Sequence, residues 1–116
     1  MDEEMNAFDV AQANGRLHLT ITIGEGQLGA TTVLRGGTVL VKGGVVVANL
    51  DLGDAGDLHG TNVVVHSIVN DISSQTNRMS VTYAVADSTK KNKFVARHKV
   101  ENEGELCHFI STINFA

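Results

Sequence analysis

The stretch that decides the fold is "RLHLTITI", residues 16–23. Leu17, Leu19, Ile21 and Ile23 alternate with Arg16, His18, Thr20 and Thr22. Successive side chains of a strand point to opposite faces, so this period of two describes a strand with one buried face.

The same alternation recurs along the chain. "TTVLR" follows the glycine-broken "GEGQLGA", and "NVVVHSIVNDI" is rich in β-branched residues. "RMSVTYAVA" places Met79, Val81, Tyr83 and Val85 on one face, and "FVARHKV" does so with Phe94, Ala96, His98 and Val100. "LCHFISTINF" groups Cys107, Phe109, Ile113 and Phe115. In "GTVLVKGGVVVANLDL", the pair Gly43-Gly44 predicts a hairpin, because a two-residue primed turn requires positive φ angles. Seven or eight short strands separated by turns predict an all-β protein. Its expected form is an antiparallel β-sandwich, immunoglobulin-like in general architecture, or a small barrel.

The chain has 116 residues, which fits one domain with a real core. Residues 1–14, "MDEEMNAFDVAQAN", have weak periodicity and are expected to form a flexible or short helical segment. Residues 15–116 are expected to form the single β domain.

Composition narrows the function classes. The formal net charge of −4 argues against a nucleic-acid partner. No Trp, one Tyr and four Phe leave few aromatic faces for stacking bases once a core is built. One cysteine, Cys107, excludes an internal disulfide and a multi-cysteine zinc site. No apolar run approaches the about 20 residues of a membrane helix, and the acidic start lacks the pattern of a signal peptide. A cytoplasmic location is therefore favoured, with a mature secreted fragment as the alternative.

Several constellations could carry chemistry. "NLDLGDAGDLHGTN", residues 49–62, spaces Asp51, Asp54 and Asp57 three apart and adds Asn62. Calcium takes six to eight oxygen ligands from such flexible loops, so these four residues are its candidate ligands. Asp and Gly are also the residues that turns prefer, and no other cofactor is expected. His98 shares a face with apolar residues, which suggests a neutral core histidine, one at a subunit contact or, with Tyr83, a ligand site. His18, His66 and His108 fall on the more polar strand faces, where solvation is the default. Cys107 and His108, adjacent in a strand, point to opposite faces and cannot act as a nucleophile–base pair.

"KKNKFVARHK" collects Lys90, Lys91, Lys93, Arg97 and Lys99, a candidate patch for an anion or a partner. Lysines also protect edge strands from unwanted pairing. The glycines of "GEGQLGA" superficially match GxGxxG, but the following "TTVLRGG" cannot supply the required helix.

No catalytic set assembles from these residues. Leu106 and Ile110, on the face opposite Cys107 and Phe109, imply more burial than one core requires. The reading that follows is a non-catalytic interaction or assembly module, docking on itself as a homo-oligomer or on another protein. The alternative is a small-ligand-binding or enzymatic β protein using a buried histidine and the aspartate loop.

Overall fold

The computed structural model describes residues 2–10, 15–87 and 91–116. Among these residues nine strands and one short helix occur: β1(Asp2–Phe8), β2(Arg16–Ile23), β3(Leu28–Arg35), β4(Thr38–Gly44), β5(Val47–Asp54), α1(Ala55–Leu58), β6(Asn62–Asn70), β7(Arg78–Ala86), β8(Lys91–Lys99) and β9(Leu106–Phe115). They form two sheets, a five-stranded one ordered β1-β9-β6-β3-β4 and a four-stranded one ordered β5-β2-β7-β8. The protein is thus an all-β, sandwich-like fold.

The alternation read from the sequence becomes the core. Leu17, Leu19, Met79, Val81, Tyr83 and Val85 of the smaller sheet are buried together with Val33, Val63, Val65, Val69, Phe109, Ile113 and Phe115 of the larger. Three hydroxyls are buried beside them, those of Thr31, Ser67 and Ser111. Thr31 and Ser67 face each other on β3 and β6, and their oxygens lie 2.8 Å apart, so each satisfies the other.

Three expectations need correction. First, residues 2–8 form neither a tail nor a helical turn. They make β1, which pairs with β9 through seven registered positions, and Phe8 is sealed against the ring of Phe115. The edge of β9 supplies hydrogen-bond partners that a weak local pattern does not reveal. Residues 1 and 11–14 of that expected segment lie outside the described residues. Second, β1 and β9 run parallel, so the fold is not wholly antiparallel.

Third, Gly43-Gly44 does not close a hairpin. β4 pairs with β3 and β5 with β2, so the chain changes sheets after Gly44. The two-residue turn sits at Gly36-Gly37 between Arg35 and Thr38, a registered pair of β3 and β4. Both glycines have positive φ, 54° and 81°, as a type I′ turn demands.

β5 is bulged where it meets β2. Leu19 faces Leu50 while Ile21 faces Val47, leaving an extra residue, and Asn49 takes φ 50°. Its amide donates to the Thr20 hydroxyl at 3.0 Å. A second shift, between Leu17 and His18, leaves Leu52 as an extra residue that remains buried while Asp51 is exposed.

Candidate functional site

Asp51 is exposed, but its carboxylate is engaged: Arg16 Nε donates to both oxygens at 3.1 and 2.9 Å, and the Gly53 amide donates at 2.9 Å. The hydrogen bond from Arg16, helped by the Gly53 amide, holds the Asp51 carboxyl below the usual carboxylate range. Asp54 stands 3.8 Å from the same guanidinium. Asp57 lies within α1, and Asn62 opens β6 opposite Asn114. Among the described residues no group of three or more His, Cys, Asp or Glu side chains is placed to hold a metal ion.

Tyr83 and His98 are not brought together. Tyr83 faces Phe94 and His98 faces Met79 in the β7–β8 register. The four-residue offset along the strand separates them by about 13 Å. Tyr83 is 0 % exposed and its hydroxyl has no partner among the described residues. Burial, with a smaller contribution from Glu4, pushes that hydroxyl well above the ordinary phenol range. His98 is half-buried. Its ring meets Phe109 edge-on at 6.4 Å, and the side chain borders a shallow cleft with Glu25, Arg78, Met79, Arg97 and Lys99.

The basic candidates lie on one strand face, apart from Lys90, which falls outside the described residues. Lys91, Lys93, Arg97 and Lys99 occupy alternate positions of β8, an edge strand, and are exposed. Arg78 joins them, because it stands directly opposite Lys99 on β7. Sequence spacing could not show this, since the two residues meet only through strand pairing.

The outward face of the five-stranded sheet differs in kind. Because Val33 and Val63 point inward, their neighbours Leu34 and Val64 point out. Registered pairs then define a row across all five strands, Val39–Leu34–Val64–Thr112–Met5. The next row is Thr32–His66–Ile110–Glu3, followed by Ala30–Ile68–His108 and Leu28–Asn70–Leu106. Met5, Leu28, Val39, Ile68 and Leu106 are exposed large apolar residues, Leu106 by 64 %. Glu3 contributes the one carboxylate of these four rows. On the four-stranded sheet the outward rows are instead Thr20–Ala84–Lys93, Thr22–Thr82–Val95 and Ser80–Arg97.

At the middle of the apolar face sit two histidines. β6 is the third of five strands and His66 is the fifth of its nine residues. His66 Nδ1 and His108 Nε2 are 3.1 Å apart, with the ring centroids 5.3 Å apart. Both rings are half-buried, not solvated as strand patterning implied. The two residues are 42 positions apart in the chain, so no local spacing announces the pair. Cys107, next to His108, points into the core, as alternation requires.

A second polar cluster, missed by sequence reasoning, braces the fold. Gln27 Nε2 donates to Asp71 Oδ1 at 2.8 Å and to the carbonyls of Thr76 and Arg78. Gln27 Oε1 accepts from the amides of Ile72 and Ser73. One buried amide thereby ties the β2–β3 turn to the β6–β7 crossing.

Searches against protein-family profiles, curated proteins and solved structures found no match to this chain. Fold and surface therefore carry the functional argument, and the class they define is an all-β, two-sheet domain with one apolar outer face.

Proposed function

We propose that this chain is a non-catalytic assembly module that associates with a second copy of itself through the outer face of the five-stranded sheet. The single observation behind this reading is the row Val39–Leu34–Val64–Thr112–Met5, which spans the sheet from edge to edge with apolar side chains at every position but Thr112. A sheet face open to water normally carries polar residues, and apolar rows on both faces mark a sheet covered on both sides.

Size and charge favour a second copy as the cover. Five strands about 4.8 Å apart and about eight residues long present a flat area of about 600 Å². That is close to the roughly 800 Å² per partner of a standard specific interface. The chain carries a net charge of −4, yet the four rows contribute one charged residue, Glu3, with Lys42 next to them on the edge strand β4, so two copies meet with few charges between them.

Light scattering at high micromolar concentration tests the reading. The wild-type chain is expected at twice its 12.3 kDa mass, and Ile68→Lys at the single-chain mass with unchanged circular dichroism. A wild-type chain that stays monomeric at that concentration counts against the proposal.

A further inference from the structure

We infer that His66 and His108 form half of a zinc-class metal site, completed by the same pair from a second copy, an inference that rests on the self-association proposed above. The distance between the two ligating atoms carries it. Zinc holds imidazole nitrogen at about 2.0–2.1 Å, and two such nitrogens at a tetrahedral angle stand ~3.4 Å apart. The same bond lengths at a right angle place them ~2.9 Å apart. The observed 3.1 Å between His66 Nδ1 and His108 Nε2 lies between these limits, so one ion can engage both nitrogens once the rings rotate out of their hydrogen-bonded orientation.

Position supplies the second half. Structural zinc sites have four ligands, and among the described residues the chain brings two, His66 and His108, to the spot. A symmetric dimer has an isologous interface, in which each residue near the two-fold axis meets its own counterpart. His66 is central both across the sheet and along its strand, so a two-fold axis through the face centre brings two His66–His108 pairs together.

The protonation chemistry balances without an outside reagent. In the neutral pair, one ring donates its N–H to the other. To bind an ion, the donor ring carries its proton on its other nitrogen instead, which frees the facing lone pair.

The test is a zinc titration of chelator-treated full-length chain by calorimetry, with light scattering on the same samples. One ion per two chains is expected, with the mass at the dimer value and uptake abolished in both His66→Gln and His108→Gln. His59→Gln, an exposed histidine away from this face, is expected to bind as wild type. No zinc uptake, with a dimer present regardless of metal, overturns the site and leaves self-association standing. One ion per chain with the mass unchanged overturns the shared site and the self-association reading together. Uptake insensitive to either substitution overturns the assignment to this pair.

Discussion

Gln27 donates to Asp71 at 2.8 Å in a site where both residues are buried. The two belong to different crossings between the sheets, and Gln27 adds bonds to Thr76 and Arg78 carbonyls and to Ile72 and Ser73 amides. Removing that amide leaves several buried groups unpaired, each at a cost of about 1–3 kcal/mol before water enters to replace it. Gln27→Ala is therefore expected to cost about 3 kcal/mol, read as a fall of about 10 °C in Tm by calorimetry. A Tm within two degrees of wild type would show that water substitutes freely for the side chain.

Tyr83 presents the opposite case. Its hydroxyl is buried without a partner among the described residues, so the group stabilises nothing by hydrogen bonding. Tyr83→Phe is expected to be neutral or to stabilise by about 1 kcal/mol in urea denaturation at pH 7.

The same residue sets an alkaline limit. Burial raises the folded-state value of Tyr83 above 10.0, so the neutral phenol is the form the fold favours. This contribution is fully present below pH 10 and declines as pH rises toward the folded-state value. Wild type is expected to lose stability more steeply than Tyr83→Phe above pH 10. Parallel curves would contradict a buried phenol.

Arg16 and Asp51 act at the acid end. The folded-state value of Asp51 is lowered, so its contribution is present above the ordinary carboxylate range and is lost as pH falls through the lower folded value. Asp51→Asn is expected to flatten the stability profile below about pH 4, where wild type declines. Both side chains are about half exposed, so the effect is small and weakens in added salt.

Arg78 and Lys99 stand opposite one another with the same charge. Directly opposed like charges destabilise a strand pair by a few tenths of a kcal/mol. Lys99→Glu, which converts the pair to opposite signs, is expected to stabilise the protein by about 0.5 kcal/mol in chemical denaturation. A loss of stability would mean that Lys99 makes compensating contacts through its aliphatic stem.

Much of the fold was legible because strand alternation is local. Spacing alone assigns Leu17, Leu19, Met79, Val81, Phe109 and Ile113 to a buried face, and all are buried. The outward Leu106 and Ile110 already hinted at a second apolar surface. The aspartates were legible as residues, but their surroundings were not. Arg16, 35 positions from Asp51, reaches it only because β2 and β5 pair.

What the sequence alone determined is the class of element and the face of each side chain, since the period of two is a property of any extended backbone. What it left open is which strands pair, because pairing joins residues distant in the chain and is decided by the whole core at once. Gly36-Gly37 and Gly43-Gly44 read alike, yet one closes a hairpin and the other precedes a change of sheet. β1 became a strand only through the open edge of β9. His66 and His108 became neighbours only through the β6–β9 register, which sets them diagonally across the two strands, His66 opposite Ile110 and His108 opposite Ile68.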